Sequence, residues 1–257
     1  MIHYRPFLNS DPPVIAEIWR SQPPSKALIQ PMTPAVLDDT VFAKPFFDRQ
    51  GLILAIDDDQ PVGFVHAGFG PNTERTGLDQ TSGTTALLLV SPHRDRDTIA
   101  RELLSRSEQY LRDRGATTLF GGATDNLAPF YLGLYGGSRL SGVFASDAAS
   151  VDLFRSSGYS EVAYARIFRR KLTGFRPPVD RELMQVRRQF QLVKQADSLP
   201  RTWWEASEFA SIERLDFALL PKAQKVPVAE ATFWDIEPLA SSWGVHAVGL
   251  LSLEVSA

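Results

Sequence analysis

The chain has 257 residues, 44% of them hydrophobic, which is enough for a sizeable core and long for one small domain. Its 27 basic and 30 acidic side chains give a formal net charge of -3, so charge gives no reason to expect a nucleic acid or an anionic membrane as a partner. The sequence has no apolar stretch of the ~20 residues that a membrane span needs and no signal peptide. The absence of cysteine excludes disulfides, thiolate catalysis and cysteine zinc sites. We therefore expect a cytoplasmic protein of two units.

Residues 1–70 predict strands and helices in alternation. Apolar patterns predict strands at 2–7, 52–56 and 62–69 and helices at 14–19 and 33–43. The second helix opens with a threonine and a proline, which suit the N-cap and the first helical position. An acidic turn ending in a proline separates the last two strands. This order predicts an α/β domain.

The stretch 84–114 is the most informative part of the chain. A short apolar run at 87–90 precedes a proline, which favours a buried strand. Apolar residues then recur at helical spacing, with Asp97 or Thr98 as candidate N-cap and Gly115 at the C-terminal end. The turn between them would leave the first N–H groups of the helix unpaired at the positive end of its dipole. This architecture predicts a pyrophosphate site.

Strand, proline, turn and helix in this order resemble the acyl-CoA-binding motif of the GNAT (general N-acetyltransferase) superfamily, roughly V-x-P-x-x-[QR]-x-x-G-x-[GA]-x-x-L. The motif is matched in register by Val90, Pro92, Ala100 and Leu103. Asp95 stands where the family has Gln or Arg, and Thr98 stands where it has the first glycine. Thr98 adds a Cβ at a position of close backbone approach, and Asp95 adds a carboxylate near a polyanion.

The resemblance implies a mixed α/β sheet and acetyl-CoA as cosubstrate. It implies that the cosubstrate contacts the strand end, the turn and the first helical residues, which are Leu88, Leu89, Val90, Asp95, Arg96, Asp97, Thr98, Ile99 and Ala100. A further strand is predicted at 116–120, directly after the helix. The order of elements up to this point is that of the family.

The segment 147–159 resembles the second landmark of the family, N-x-x-A-x-x-L-Y-x-x-x-G-F. The pattern predicts a short helix capped by Asp147 and ended by Gly158 in the left-handed conformation. The resemblance adds Asp147 and Phe154 to the cosubstrate site. In many family members a tyrosine at the position of Phe154 protonates the departing thiolate, and Phe154 has no hydroxyl for that step.

A long insertion at 121–146 separates the predicted strand from this helix. Its aromatic residues are spaced for a short helix that ends at a glycine pair, and Asn126, Tyr131 and Tyr135 are candidates for an acceptor pocket. The alternative is a small satellite core under a loop.

His66, on a predicted strand beside the cleft, is the best-placed candidate for the general base that deprotonates an amine. A hydrogen-bonded structural role is the alternative for a lone strand histidine, and Glu74 and Asp79 are weaker candidate bases. Tyr131 and Tyr135 complete the catalytic candidates. The four histidines show no metal-ligand spacing, so no metal is expected.

A linker at 173–182, rich in Gly, Pro and charge, is predicted to follow strands around 162–172. Four strand signals come after it, at 189–194, 215–220, 228–234 and 245–255. Their order resembles the front half of a second GNAT domain. We therefore expect a GNAT-like domain at 1–172 and a partial one at 183–257, which could form a homodimer. On this division, the fragment 1–172 should be soluble alone.

Three functions stay open at this point. The first is an N-acyltransferase that moves an acetyl group from acetyl-CoA to the amine of a small molecule or peptide by direct attack. The second is a non-catalytic protein that keeps the fold for CoA binding or assembly, which the departures at Asp95, Thr98 and Phe154 favour. The third is a tandem acetyltransferase resembling mycothiol synthase, with one degenerate half.

Overall fold

A computed structural model describes residues 1–23, 28–124, 127, 129–140, 142–177, 179–195, 199–223, 225–236, 240 and 244–256. The chain divides into two compact units. The first contains Met1–Tyr164 and Arg201–Ser211, and the second contains Ala165–Pro200 and Ile212–Ala257. No helix in the described ranges is long and apolar enough to cross a membrane.

The first unit is built on a five-stranded mixed sheet in the order β1-β2-β3-β4-β5. The first four strands pair antiparallel, whereas β4 and β5 are parallel. The strands are β1 (His3–Pro6), β2 (Leu52–Asp57), β3 (Gln60–Pro71), β4 (Leu78–Val90) and β5 (Thr118–Gly121). The helices are α1 (Pro12–Arg20), α2 (Pro34–Leu37), α3 (Arg96–Asp113) and α4 (Ala148–Ser156). The predicted mixed α/β sheet is confirmed.

Local signals explain where the helices begin and end. Thr33 caps α2, since its side chain accepts a hydrogen bond from the amide of Val36 at 3.3 Å. A π-helical turn, Asp38–Phe42, continues α2. After α3, Gly115 adopts a φ of +105°, a conformation that favours glycine. The helix begins at Arg96 rather than after the predicted cap at Asp97 or Thr98, because Asp95 already accepts its first bond.

Each face of the sheet buries a different set of side chains. On one face, Ala55, Val65, Val90, Ile99 and Leu103 form a buried cluster between the sheet and α3. Side chains alternate between faces along a strand, so His66, the neighbour of Val65, points to the opposite face. This second face carries the aromatic residues of the insertion, described below.

Two predicted elements are not formed. Residues 160–172 carry no strand or helix among the described residues, and their side chains are exposed, so they bury too little to fix a strand. The predicted short helix near Tyr131 and Tyr135 is replaced by turns, with φ of +65° at Tyr131. Tyr135 instead bridges to Leu28 and Ser138.

The second unit holds a four-stranded antiparallel sheet in the order β6-β7-β8-β9. Its strands are β6 (Phe190–Gln195), β7 (Arg214–Pro221), β8 (Ala229–Asp235) and β9 (Val248–Val255), preceded by α5 (Arg181–Gln189). All four predicted strands are thus formed. The helix α6 (Trp203–Glu208) lies between β6 and β7 in the chain, yet it packs within the first unit. The predicted boundaries at 172 and 183 stay a prediction.

Candidate functional site

The strands β4 and β5 separate halfway along β4. Their parallel pairing ends where Thr85 lies opposite Gly121, whereas β4 stays paired with β3 up to Val90. At the same place β4 has a bulge at Ala86, because His66 pairs with Leu87 while the next residue of β3 pairs with Thr85. In the described part of the chain, no strand pairs with the second edge of 86–90. Because β5 ends at Gly121, the space beside 86–90, where β4 has no strand neighbour, is the candidate cleft.

The turn between β4 and α3 lies at the end of this cleft. The first helical hydrogen bond of α3 runs from the amide of Ile99 to the carbonyl of Asp95, at 3.0 Å. Asp97 and Thr98 therefore occupy the second and third helical positions, whose N–H groups have no acceptor within the helix. They lie at the positive end of an 18-residue helix dipole, where a phosphate oxygen is favoured.

The two departures from the motif have different consequences. The carboxylate of Asp95 accepts from Arg94 Nε at 3.2 Å, so a cation partners its charge. Both groups are exposed, and the pair contributes little to stability. Thr98 Oγ1 accepts from Arg101 at 3.3 Å, so its side chain is held along the helix. The extra Cβ of Thr98 remains on the turn.

The other predicted cosubstrate residues divide by burial. The side chains of Val90 and Ile99 are buried in the α3 cluster, and the amide of Ile99 is already bonded. Leu88 and Ala100 are half-buried against the same cluster. The backbone edge of β4 at 88–90 is thus the part open to a ligand, although the carbonyl of Val90 already accepts from Gln22 Nε2 at 3.1 Å. Arg96 is exposed at the first position of α3.

Phe154 packs against the end of β5. A Cβ on Gly121 would lie 2.6 Å from the Phe154 ring, so the ring rests directly on this glycine. The ring of Tyr159 meets that of Phe154 edge-on, at 5.1 Å between centroids. Burial and the nearby Glu108 raise the pKa of Tyr159. Phe154 therefore borders the point where β4 and β5 separate.

Asp147 caps α4 as predicted. Its Oδ1 accepts from the amide of Ser150 at 3.1 Å, and its Oδ2 accepts from the hydroxyl of Ser150 at 2.7 Å. Gly158 follows the helix at a φ of +90°. Both interactions are those of an ordinary helix end, so they support the predicted cap without indicating a ligand.

His66 and Tyr131 form a hydrogen-bonded pair on the second face of the sheet. Tyr131 Oη lies 2.9 Å from His66 Nδ1, and both side chains are buried. Burial lowers the pKa of His66 to about 3 and raises that of Tyr131 well above its usual value. His66 Nε2 has no hydrogen-bond partner among the described residues. His66 is therefore neutral at pH 7 and closed off from solvent.

Aromatic rings enclose this pair. The rings of Phe47 and Phe130 lie 5.5 and 4.1 Å from that of His66. Trp19 lies 6.0 Å from Tyr131 and 6.3 Å from Tyr135. Tyr135 also stacks on Phe144, and burial raises its pKa. The structure thus brings His66, Tyr131 and Tyr135 into one aromatic cluster, while Asn126 lies outside the described residues.

A second group of contacts was not predicted from the sequence. Lys44, 6% exposed, donates to the carbonyls of Ser207 and Glu208 at 3.0 and 2.7 Å. Arg139 lies 3.3 Å from the Glu208 carboxylate. These contacts hold the C-terminal end of α6 against the rest of the first unit. The partners are 163 residues apart in the case of Lys44 and Ser207, and no local pattern signals such a contact.

A cavity of ≈ 220 Å³ lies at the other end of the sheet, lined among others by Phe46, Gly68, Tyr110 and Arg114. Tyr110 lies near the C-terminal end of α3 and Arg114 directly follows the helix, so at about 1.5 Å per residue roughly 20 Å separates the cavity from the turn. We therefore do not assign it to the cleft. Among the described residues, no three His, Asp or Glu side chains are grouped so that they could hold a metal ion.

A mixed five-stranded sheet, in which β4 leads through a short turn into the long helix α3, defines the class of this domain. Residues 14–133 match the profile of the Acetyltransferase (GNAT) family, so this chain carries a GNAT domain with the GNAT acyltransferase fold. The resemblance seen in the sequence is confirmed.

Solved structures similar to this chain include two N-acetyltransferases. One is the ribosomal-protein-S18-alanine N-acetyltransferase from Escherichia coli, with 19% identity, 63% of this chain and 80% of that chain covered, and a TM-score of 0.42. The other is an aminoglycoside antibiotic 6′-N-acetyltransferase from Acinetobacter baumannii, with 13% identity, 66% and 99% covered, and a TM-score of 0.44. No curated protein sequence matches the chain.

Proposed function

We propose that the first unit binds acetyl-CoA and transfers its acetyl group to an amine of a small molecule or peptide. The observation that carries this proposal is the separation of β4 and β5 beside the open N-terminal turn of α3, within a GNAT domain. A thioester arm needs such a cleft, and a pyrophosphate needs such a turn.

The residues present fit acetyl-CoA at three points. The amides of Asp97 and Thr98 hold the pyrophosphate, with the exposed guanidinium of Arg96 beside them. The backbone edge of β4 at 88–90, which pairs with no second strand among the described residues, binds the amides of the arm and orients the thioester. Phe154 supplies an apolar wall where the strands separate.

Acetyl-CoA supplies an activated acyl group, and the chain supplies position and charge. Backbone N–H groups of β4 stabilise negative charge that develops on the thioester oxygen. The amine forms the new C–N bond as the C–S bond breaks, and it loses a proton that a base must accept. No covalent link to the chain is needed for this transfer.

The departing thiolate takes its proton from water or from a hydroxyl other than residue 154. The hydroxyls of Tyr131, Tyr135 and Tyr159 are the alternatives, but Tyr131 and Tyr135 are buried in the aromatic cluster and the hydroxyl of Tyr159 is also shielded from solvent. We therefore favour water in the open cleft as the proton donor. The substitution Phe154→Leu should change turnover much less than the ~10²-fold expected when a general acid is removed. A larger loss in a folded variant would contradict this assignment.

The role of His66 as general base stays a prediction. Its burial and its lowered pKa favour the alternative, a neutral ring that positions Tyr131. The substitution His66→Gln separates the two roles. Loss of a base lowers kcat and removes the corresponding limb of the pH profile, whereas loss of a positioning residue leaves the pH profile unchanged.

A non-catalytic CoA-binding protein is the second candidate. It is supported by Phe154, which offers no proton to the thiolate, and by the Cβ of Thr98 on the turn. Release of CoA in a screen of amines, aminoglycosides and peptides distinguishes the two functions. Binding without release for every acceptor class would favour the second.

Calorimetric titration of acetyl-CoA into the full chain tests the site itself. The substitution Thr98→Trp should abolish binding, because an indole would fill the space over the turn amides. Ser105→Trp is the matched control, since Ser105 is exposed on the same helix and seven residues further along. Unchanged affinity in folded Thr98→Trp would refute the site. A cytoplasmic location, a homodimer through 183–257 and a tandem origin of that segment stay predictions.

A further inference from the structure

His93 bridges the turn to the neighbouring β-hairpin. The amide of Asp95 donates to His93 Nδ1 at 3.0 Å, and His93 Nε2 lies 3.2 Å from Asp57 Oδ2. A backbone amide is always a donor, so Nδ1 must be the unprotonated nitrogen. Nε2 therefore carries the hydrogen and donates to Asp57. These two contacts define a neutral imidazole in a single tautomer.

We propose that neutral His93 is a positioning residue for the pyrophosphate turn, and that its protonation releases the turn and weakens binding of CoA. This inference rests on the proposed function, and it adds a regulation of the same site. His93 itself need not touch the ligand. It acts through Asp95, whose carbonyl accepts the first hydrogen bond of α3.

The geometry explains why this contact fixes the turn. Asp57 is the last residue of β2 and pairs with Gln60 of β3, so it is anchored in the sheet. His93 connects that anchor to Asp95, the residue directly before α3. The amide of Asp95 bonds a side-chain acceptor two residues earlier, which is the pattern of an Asx-turn. Here the acceptor is the ring nitrogen of His93 in place of a side-chain oxygen. The backbone amide of Arg96 donates to the carbonyl of His93 at 3.2 Å and closes the same turn.

Protonation of His93 breaks its hydrogen bond with Asp95 and strengthens its contact with Asp57. A proton on Nδ1 places two donors opposite each other, so the bond from Asp95 is lost. The bond to Asp57 persists and becomes an ion pair. Charged groups near this contact include the amino group of Met1, 3.3 Å from Asp57 Oδ1 and 2.9 Å from Asp58 Oδ1. The turn itself carries the exposed pair of Arg94 and Asp95, followed by Arg96.

Two effects on CoA binding then compete. A positive imidazolium attracts the pyrophosphate, but the Asp57 carboxylate at 3.2 Å neutralises most of that charge. The bond from the Arg96 amide to the His93 carbonyl remains, but nothing in the turn replaces the acceptor that the amide of Asp95 loses. We therefore expect affinity to fall as the pH decreases from 8 to 5.5, by roughly 2- to 10-fold, the effect of one neutral hydrogen bond.

The experiment is calorimetric titration of the full chain with dephospho-CoA at pH 8 and pH 5.5. This probe keeps the pyrophosphate but lacks the phosphomonoester, which itself titrates near pH 6. His93→Asn keeps an acceptor for the amide of Asp95 and cannot titrate. It should bind like the wild type at pH 8 and show no fall at pH 5.5. His93→Ala lacks the acceptor and should bind more weakly, by the same factor, at both pH values.

Equal wild-type affinity at the two pH values, or a fall of equal size in His93→Asn, would overturn the inference and leave the proposed function intact. No binding by the wild type at pH 8 would overturn both. Imidazole ¹⁵N shifts of the unliganded wild-type chain provide a readout that needs no variant. They should report an unprotonated Nδ1 at pH 8, and a protonated Nδ1 at that pH would contradict the assigned tautomer.

Discussion

The indole of Trp204 stacks on the ring of Phe46, with 4.5 Å between centroids and 19° between planes. Trp204 is buried, and its amide donates to the carbonyl of Arg75 at 3.2 Å. A short helix from the C-terminal part of the chain is therefore built into the first unit. Phe46 in turn packs on Phe130, which covers His66. The helix α6 thus supports the aromatic cluster from outside.

This packing changes the expectation for the fragment 1–172. The fragment lacks α6, so Phe46 becomes exposed and Lys44 loses its two carbonyl partners. We expect a melting temperature several degrees below that of the full chain, measured by circular dichroism. A peptide of residues 199–211 added in excess should raise it again. Equal melting temperatures for the fragment and the first unit of the full chain would contradict the assignment of α6.

The substitution Lys44→Met tests the polar half of the same contact. Burial lowers the pKa of Lys44, and its ammonium group donates to two carbonyls at the end of α6. Its removal leaves both carbonyls without this donor, so we expect destabilisation of about 1–3 kcal/mol in urea unfolding. Lys222→Met, at an exposed lysine, is the control and should stay within about 0.5 kcal/mol. An unchanged free energy of unfolding in Lys44→Met would show that the contact contributes no stability.

Sequence periodicity was sufficient for the strands and helices that carry the site. The apolar run at 87–90, the helical spacing after Ile99 and the capping aspartate at 147 all lie where the structure has β4, α3 and α4. These are local signals, since each depends on residues within a few positions of one another. The turn was recognisable for the same reason.

Contacts between distant residues were not predictable in the same way. His66 and Tyr131 were each identified as catalytic candidates, yet nothing in the sequence indicated that they bond to each other across 65 positions. The predicted helix near Tyr131 was wrong, because aromatic spacing alone does not reveal the positive φ that Tyr131 adopts in the turn. Nothing in the sequence indicated that the ring of His93 bonds within the turn. Its neutral tautomer follows from its partners Asp57 and Asp95, of which Asp57 lies 36 positions away.

Gly121→Ala should disturb the wall of the cleft. The new Cβ would lie 2.6 Å from the Phe154 ring, and overpacking of this kind costs about 1–3 kcal/mol. Gly142→Ala is the matched control, since a Cβ there meets nothing within 4 Å. In a Phe154→Ala background the cost of Gly121→Ala should fall below about 0.5 kcal/mol, because the clashing ring is gone. An unchanged cost in that background would exclude the ring as its cause.

The buried imidazole of His66 should make stability depend on pH. Burial lowers its folded-state pKa to about 3, whereas an unfolded histidine has a pKa of about 6.5. Between these pH values His66 is protonated in the unfolded state but not in the folded state, so the free energy of unfolding falls as the pH decreases. The contribution of neutral His66 to the free energy of unfolding is fully present above pH 6.5. It decreases as the pH falls and is lost completely near the folded pKa of about 3.

Within that range one proton changes stability by at most about 1.4 kcal/mol per pH unit. We expect urea unfolding between pH 6.5 and 4.5 to show a shallower slope for His66→Asn than for the wild type. Asparagine keeps an acceptor near Tyr131 and cannot titrate, so the comparison of slopes is independent of any general loss of stability. His3→Asn, at an exposed position of β1, should keep the wild-type slope. If His66→Asn also keeps it, His66 is protonated in the folded state, and the buried neutral pair with Tyr131 is wrong.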